Sequence, residues 1–560
     1  MLLALVALVF GAAEVTAQWR HPLRQTVDID LSPAALPKYA LFSLARGWIA
    51  YFFSLLFTLL VASWAFYDAR ARRFVLPALD VLQSIPVLGF LPGLVLALVS
   101  LFPRSNVGLE LACVLMIFTG QVWNMVFSYY DSLRGTPADF RLLGRLYNFS
   151  WWHRFWKVEL PFGAQGLLYN SMVSMAGGWF FLSVTEAFQL GSQDFRVPGI
   201  GSYMSVAVEQ RDYPAMGFAL LAMFAMIVLV DQLLWRPVVV WAQKFRVEEG
   251  GAAEAATSWF LDWLRRSRII RRVRLFLSSL PQRHEEKEGG PALSALPHTA
   301  AAPPRTAWAQ AAAQVPLLLL VALLLWGGWQ LGLLLWEVSA GSWGGLIGAA
   351  LLTLARVLVS TVIGTLWALP AGLAIGLSPR LSRVLQPVVQ VAASFPAPML
   401  FPLVVVGLEL AGVTLDWGSV LLMLLGTQWY ILFNVIAGAM AIPADLREAA
   451  TSYRIQGWRR FKLLYAPAVF PYLVTGWVTA AGGAWNASIV AEQLTFGTKV
   501  TGEVPPATGL GSMITTAFDQ GDFNLLAASV IVMSLLVIVF NRLVWKRMYH
   551  LAETRFSLSK

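Results

Sequence analysis

The sequence predicts an all-α, polytopic membrane protein made of two tandem six-span units, with about 12 transmembrane helices in total. Composition gives the first reason. Of 560 residues, 58% are hydrophobic and 13% are charged, and the mean hydropathy is +0.65. Charged residues make up about a quarter of an ordinary soluble domain. A chain this apolar exceeds what a soluble core absorbs, so it is assigned to the membrane.

The second reason is an internal repeat, in which the second half of the sequence resembles the first. Ten residues between 123 and 191 recur 306 positions later, in loops as well as in apolar segments. This register indicates the duplication and fusion of one membrane unit. The pairs are Trp123/Trp429, Pro137/Pro443, Ala138/Ala444, Asp139/Asp445, Trp152/Trp458, Phe155/Phe461, Pro161/Pro467, Trp179/Trp485, Glu186/Glu492 and Gly191/Gly497.

Runs of about 20 apolar residues, the length that crosses a bilayer as a helix, mark six candidate spans in each unit. Residues 1–17 are short and end in Val15-Thr16-Ala17, so a cleaved signal peptide is an alternative to a retained span. The lack of a basic start weighs against it. The spans are 1–17, 41–65, 83–103, 107–128, 164–190 and 214–236, then 313–336, 345–377, 386–411, 417–440, 464–491 and 525–545.

Orientation follows from basic residues, which concentrate on the cytoplasmic side of a membrane protein. They cluster after the second, fourth and last spans, so these faces are expected to be cytoplasmic. The loops at 191–213 and 496–523 then lie outside. This distribution accounts for the net charge of +10, and no nucleic-acid partner is expected. The clusters are Arg70, Arg72 and Arg73; Arg134, Arg141, Arg145, Arg154 and Lys157; and Arg542, Lys546 and Arg547.

Three regions result: a first half at 1–236, a linker at 237–312 and a second half at 313–560. The linker contains the basic amphipathic stretch WFLDWLRRSRIIRRVRLFL. It is interpreted either as a helix lying on anionic membrane lipid or as a solvated tether. Residues 282–308 are rich in Pro, Ala and Gly and are expected to be weakly ordered and tolerant of deletion.

A long cytoplasmic loop follows the fourth predicted span of each half. In the second half it reads PADLREAATSYRIQGWRRFKLLYAPAVFPYLVTG. Ala449 and Ala450 allow close helix packing, and Gly457 permits a turn between two helices. With Glu448 and Pro467, these residues resemble the EAA loop of binding-protein-dependent ABC importer permeases. An ordinary amphipathic loop is the alternative.

The resemblance extends over roughly 40–236 and 345–555, which look like the fused, duplicated permeases of the nitrate, sulfonate and bicarbonate class. It rests on stretches such as LQSIPVLGFLPG, GGWFFLSVTEA, LGTQWYILFNVIAGA and GGAWNASIVAEQ. It implies type I ABC importer units in a bacterial inner membrane, a pathway for a small anion, and no catalysis on this chain. Its implied partners are two ABC ATPase subunits carrying ATP and Mg, membrane lipid, and a periplasmic or lipid-anchored substrate-binding protein.

The resemblance assigns ATPase coupling to residues of both loops, although the two loops differ. The first has Leu142-Leu143-Gly144 at the triad, and the second has Arg454 where the family usually has glycine. Coupling geometry in the first half is therefore open. The coupling candidates are Asp139, Arg141, Leu142, Trp152, Arg154, Asp445, Arg447, Glu448, Ala449, Ala450, Gly457, Trp458 and Arg459.

Neutral donors and aromatic gates within the spans are the pathway candidates, because amides and hydroxyls bind a small oxyanion weakly enough to release it. Each is equally interpretable as a helix–helix hydrogen bond. Glu186 and Glu492 are expected to act at a gate or, preferably, structurally, and Arg46 and Arg356 to extend to the membrane interface. The pathway candidates are Ser84, Gln121, Trp123, Asn124, Asn170, Ser394, Gln428, Trp429, Asn434 and Asn486.

Missing motifs narrow the function. The sequence has no G-x-x-x-x-G-K-[ST] phosphate loop, so ATP hydrolysis is expected on separate subunits. It shows no zinc-protease, paired-Cys or nucleophile-elbow pattern, and no cofactor is expected on this chain. A secondary transporter with two parallel six-span repeats, or a membrane-embedded enzyme or scaffold, remains an alternative. The identity of the anion is open.

Overall fold

The computed structural model describes residues 14–19, 28–190, 193–245, 322, 325–492 and 506–556. Most of the predicted span 1–17, most of the linker and the first part of the predicted span 313–336 lie outside these residues. Within them, eight helices are long and apolar enough to cross a membrane, and a bent pair raises the count to nine. The all-α, multi-pass architecture is therefore confirmed.

The first half begins with a short helical segment at 14–19 and a 3-10 turn, Pro33–Ala35. Its helices are α1 (Leu36–Tyr67), α2 (Ala69–Ser84), α3 (Leu91–Leu101), α4 (Val107–Gly135), α5 (Ala138–Leu146), α6 (Trp151–Arg154), α7 (Leu160–Glu186), α8 (Ile200–Glu209), α9 (Tyr213–Val230) and α10 (Arg236–Ala242). Two-residue strands β1 (Gln189–Leu190) and β2 (Gln193–Asp194) pair antiparallel, with Gln189 opposite Asp194.

The second half repeats this order after a helical stretch at 325–336. Its helices are α11 (Ala340–Leu377), α12 (Pro379–Ser394), α13 (Phe401–Leu410), α14 (Leu415–Met440), α15 (Ala444–Ser452), α16 (Gly457–Arg460), α17 (Ala466–Ala491), α18 (Leu510–Asp519), α19 (Phe523–Phe540) and α20 (Lys546–Arg555). Further short turns are the 3-10 segments Val87–Phe90, Gln243–Phe245 and Ala397–Met399, and the π segments Phe155–Glu159, Asp231–Trp235, Phe461–Tyr465 and Asn541–Trp545.

The sequence predicts that Pro86 and Pro396 break the helices of the candidate spans 83–103 and 386–411, and both breaks are confirmed. Each region is broken at a proline, because the residue before proline is driven out of the helical region. Ile85 has φ −83° and ψ 127°, and the two helices around Pro86 differ in direction by 83°. Phe395, before Pro396, has φ −73° and ψ 128°. The helices before the breaks, α2 and α12, start earlier than the apolar runs suggested.

Within each half, α4 packs between α1 and α7, and α14 packs between α11 and α17. Small residues allow these helices to approach closely, as is usual for helix pairs in membranes. A Cβ on Gly372 would lie 2.6 Å from Val435 Cγ1, and one on Gly376 would lie 2.6 Å from the Ala439 Cβ.

The helix break of each half packs against the other half, and this contact region is called the seam. The 3-10 turn Val87–Phe90 packs on α17, and the turn Ala397–Met399 packs on α7. Likewise α2 contacts α19, and α12 contacts α9. Because these two pairs of contacts are equivalent when the halves are exchanged, the arrangement has the pattern of a pseudo-two-fold relation. One hydrophobic core cluster runs through both halves, and each half has a second cluster of its own.

Candidate functional site in the paired loops and the seam

Each loop after the fourth predicted span forms a short helix and then joins a membrane helix. In the first half α5 leads to α6, which passes through the π segment Phe155–Glu159 into α7. In the second half α15 leads to α16, which passes through Phe461–Tyr465 into α17. Since π segments inside α-helices often occur at functional sites, their repetition here marks both loop–helix junctions.

The turn of the second loop has two residues in the left-handed backbone region. Arg454 has φ +52° and Gly457 has φ +53°. Left-handed backbone favours glycine, so Arg454 occupies a position where glycine would be less strained. The Arg460 Nη2 donates to the Arg447 carbonyl at 3.1 Å and connects α16 with α15.

Most coupling candidates of the second loop are exposed. Trp458 is 75% exposed. Ala450 is buried and Arg447 is half-buried. The loop therefore presents an aromatic ring beside both signs of charge, with Ala450 packed beneath. The other exposed candidates are Asp445, Glu448, Ala449, Gly457 and Arg459.

The first loop presents a more apolar surface. Leu142 is 55% and Trp152 is 60% exposed, and Asp139 is also exposed. Arg154 turns inward: its Nε lies 3.0 Å from Glu159 Oε1 and 3.1 Å from the Tyr67 hydroxyl at the end of α1. The Arg141 side chain lies outside the described part of the chain. Arg154 thus holds this loop against the membrane helices.

At the opposite end of the first half lies a buried ion cluster. Arg46 is 2% exposed and donates to both oxygens of Glu110, at 2.5 and 2.7 Å, and to Glu186 Oε1 at 2.7 Å. Both glutamates are fully buried. Glu186 also accepts from the Ser43 hydroxyl and from the Gly201 N–H, which belongs to the first turn of α8. The carboxylate thereby satisfies donors at a helix start.

The second half repeats this cluster with Thr353 in place of Ser43 and Asp416 in place of Glu110. Arg356 contacts Glu492 Oε1 at 3.0 Å and Asp416 Oδ1 at 2.7 Å. Glu492 also accepts from Thr353 Oγ1 and from the Gly511 N–H. Asp416 has 48% of its side chain exposed, whereas its counterpart Glu110 is buried. The expected interfacial position of Arg46 and Arg356 is wrong, because buried carboxylates pair with both guanidinium groups.

Glycines close around the two glutamates. A Cβ on Gly199 would lie 2.3 Å from the Glu186 carboxyl carbon, and one on Gly509 would lie 2.2 Å from Glu492 Oε2. Any side chain here would displace the carboxylate. Glu110, Asp416, Ser43 and Thr353 were missed by the sequence reasoning, although the internal repeat pairs Glu110 with Asp416 and could have drawn attention to them.

Among the pathway candidates, Ser84 and Asn486 lie at the seam between the halves. The Asn486 Oδ1 accepts from the N–H groups of Val87, at 2.8 Å, and Leu88, at 3.4 Å. The Ser84 Oγ accepts from Asn541 Nδ2 at 3.1 Å. Asn541 was not predicted. Both contacts tie the break of the first half to helices of the second.

The remaining polar pathway candidates are satisfied within their own halves where the structure gives partners. Gln121 is fully buried and accepts from the Ser54 hydroxyl at 3.3 Å. Asn170 donates to Ser128 Oγ, Asn434 to the Tyr430 carbonyl, and Ser394 to the Gln390 carbonyl. Trp429 packs edge-on against Trp367. Asn124 is exposed, while Trp123 and Gln428 are half-buried.

Two segments of the chain match one family, described as the inner membrane component of binding-protein-dependent transport systems, at residues 54–234 and 360–555. Together they cover more than half of the chain. The chain belongs to this family. Because the family occurs twice in one chain, the internal repeat is a duplication of a whole permease unit. Among the described residues, no group of three or more His, Cys, Asp or Glu could hold a metal ion.

Several known proteins are about a quarter identical to the chain over the residues that align. The nitrate import permease protein NrtB of Leptolyngbya laminosa is 26% identical over 212 residues, 38% of this chain and 66% of the relative. The bicarbonate transport system permease protein CmpB of Synechocystis is 27% identical over 177 residues, or 31% and 58%. The taurine transport system permease protein TauC of Escherichia coli is 25% identical over 186 residues, or 33% and 61%. The chain thus spans about three-fifths to two-thirds of each.

Proposed function

We propose that this chain is the membrane-spanning permease of an ATP-driven ABC importer for a small anion, with both permease units in one chain. The single observation that carries the proposal is that one permease family occurs twice in one chain, with an exposed loop helix in each copy. One fused chain then replaces a pair of permease subunits. The relatives named for nitrate, bicarbonate and taurine support a small oxyanion or sulfonate as substrate.

In this proposal both loops lie in the cytoplasm and bind two ATPase subunits, which carry ATP and Mg. The exposed Trp458 and Glu448 would contact one subunit, and Leu142 and Trp152 the other. Each loop helix continues through a π segment into α7 or α17, which contact the opposite half at the seam. Movement of an ATPase would therefore reach the pathway through a short, continuous helical connection.

The buried ion clusters have a positioning role in this scheme. Arg46 and Arg356 connect α1 and α11 to the fifth-span glutamates, which in turn hold the first turns of α8 and α18. These two helices lie within the segments 191–213 and 496–523, at the end of the molecule opposite the ATPases. The clusters would fix the surface on which a periplasmic or lipid-anchored substrate-binding protein rests.

The test is purification of the tagged chain from its native inner membrane, followed by transport in proteoliposomes. We expect two ATPase subunits per permease chain, and uptake of nitrate, bicarbonate or a sulfonate only when ATP is present on the loop side. Addition of the binding protein should stimulate uptake. Uptake driven by an ion gradient, from a chain that purifies without an ATPase, would overturn the proposal in favour of a secondary transporter.

A further inference from the structure

The helices that precede the two breaks carry a polar stripe. In α2, residues Arg73, Asp80 and Ser84 are spaced by seven and four positions, which places them on one helix face. Asp80 and Arg73 are exposed, whereas Ala71 and Leu79 on the other side are buried. The helix begins with Asp68, whose side chain accepts from the Arg70 N–H.

The same stripe recurs in α12. Arg383, Gln390 and Ser394 occupy the equivalent positions, and Ser382 and Val389 form the buried side. The important difference lies in the middle of the stripe, where α2 has a carboxylate and α12 has the neutral amide of Gln390. Each stripe therefore runs from arginines at the start of its helix to a serine next to the break.

Both stripes end at the seam. The Ser84 hydroxyl donates to the Asp80 carbonyl at 2.9 Å while its oxygen accepts from Asn541 of the second half. Just beyond it, the turn after Pro86 is held by Asn486. On the other side, α12 contacts α7 and α9 of the first half. The stripes thus start at the loop end of the bundle and finish where the halves meet.

The Asp80 carboxylate is exposed and bonded by the Gln83 amide at 2.9 Å. Among the residues that the structure describes, it has no ion-pair partner. A charged side chain that faces lipid is strongly disfavoured, so an exposed carboxylate on a membrane-embedded helix should face water. Because the stripe that carries Asp80 ends where the halves meet, water along this stripe would connect the seam with the loop end, as a translocation pathway would.

We propose that the polar stripes of α2 and α12 line the pathway between the seam and the loop end, and that Asp80 is a charge filter. The proposal deepens the permease function and rests on it. A fixed carboxylate repels an anion in proportion to the charge of the anion. Asp80 therefore favours singly charged anions over doubly charged ones, while Arg70, Arg72 and Arg73 at the loop end draw the released anion onward.

The lining is tested by thiol accessibility, without any transported substrate. The chain has a single cysteine, Cys113, so Cys113→Ser provides the background. In inside-out vesicles, a membrane-impermeant methanethiosulfonate should modify Asp80→Cys and Gln390→Cys at least about tenfold faster than Leu82→Cys and Val388→Cys, because only water-facing thiols ionise readily. The two controls are exposed apolar positions off the stripe. Equal rates, or faster modification of the controls, would overturn the lining.

The filter is tested with methanesulfonate and ethane-1,2-disulfonate, and with nitrate and sulfate, in proteoliposomes containing the whole complex. For a unit charge about 6 Å away in water, Asp80→Asn should raise uptake about threefold for a monoanion and about tenfold for a dianion. Gln390→Glu should shift the ratio oppositely. Glu553→Gln, which removes an exposed carboxylate of α20, is the matched control and should leave the ratio unchanged.

The outcomes separate the two proposals. An unchanged dianion-to-monoanion ratio in Asp80→Asn, with an accessible thiol in Asp80→Cys, would refute the filter and retain the lining. Wild-type complex that takes up none of the four anions with ATP would refute the anion importer and the filter together. The accessibility result would then still decide whether the stripes line a water-filled path.

Discussion

The two buried ion clusters differ in the burial of one carboxylate, and this difference predicts unequal stability losses. Replacing Arg46 by methionine leaves two fully buried carboxylates, Glu110 and Glu186, without their cationic partner. Replacing Arg356 leaves only one buried carboxylate, Glu492, without its cationic partner. The other carboxylate, Asp416, is about half exposed and can be hydrated. Removing one partner of a buried ion pair costs roughly 3–5 kcal/mol, whereas exposed pairs contribute about 0–1 kcal/mol.

We therefore expect Arg356→Met to lower the free energy of unfolding by roughly 3–5 kcal/mol, and Arg46→Met to lower it by a further amount of the same order. Unfolding by SDS titration of the reconstituted protein, followed by tryptophan fluorescence, measures both. Adding Glu110→Gln to Arg46→Met should restore part of the loss, since one stranded charge is removed. Lys38→Met is the control, because Lys38 is 56% exposed in its pair with Glu14.

Equal losses in the two arginine variants would refute this reasoning. They would mean that the Glu110 carboxylate is as well hydrated as that of Asp416, and that burial does not distinguish the halves. No loss in either variant would show that the glutamates exist as neutral acids that need no cationic partner. Failure of the Glu110→Gln rescue would show that Arg46 acts through packing rather than through charge.

Three further predictions concern the loops and the helix after the fifth span. Glu448→Lys should reduce ATPase co-purification and uptake with insertion unchanged, because a reversed charge at a partner surface can cost several kcal/mol. Leu142→Ala should weaken ATPase binding by roughly 1–3 kcal/mol if docking buries the side chain fully, and unchanged affinity in a pull-down titration would contradict this. Gly511→Ala should destabilise the protein by about 1–3 kcal/mol, because its Cβ would lie 2.4 Å from the Ser488 carbonyl oxygen. Gly217→Ala, which meets nothing within 4 Å, should not change the melting temperature.

In the contacts that the structure gives, asparagine side chains at the seam come from the second half only. Asn486 and Asn541 of the second half hold the break of the first half. At the positions equivalent by the repeat, the first half has Phe180 and Asp231, and Asp231 lies 3.5 Å from Arg236 within its own half. The two halves thus share one architecture but differ in the polar side chains at the seam. Their two loops differ in the same way.

The sequence by itself determined the membrane class, the duplication, the family and the place of the paired loops. The membrane class depends on composition and on the length of apolar runs. The duplication, the family and the loops depend on motifs whose residues are close together along the chain, such as Glu448, Ala449 and Ala450. It also identified prolines 86 and 396 as breaks. It did not show how far the preceding helices extend, because α2 and α12 are amphipathic and lack a continuous apolar run.

Only the tertiary structure decided which polar residues meet. Arg46 and Glu110 are 64 positions apart, and Arg46 and Glu186 are 140 apart. An arginine near the end of an apolar run has the same local pattern whether it extends to the interface or pairs in the core. The choice depends on whether a neighbouring helix brings a carboxylate within reach, since burial without one is costly. Sequence periodicity places a residue on a face of its helix, and packing alone selects its partner.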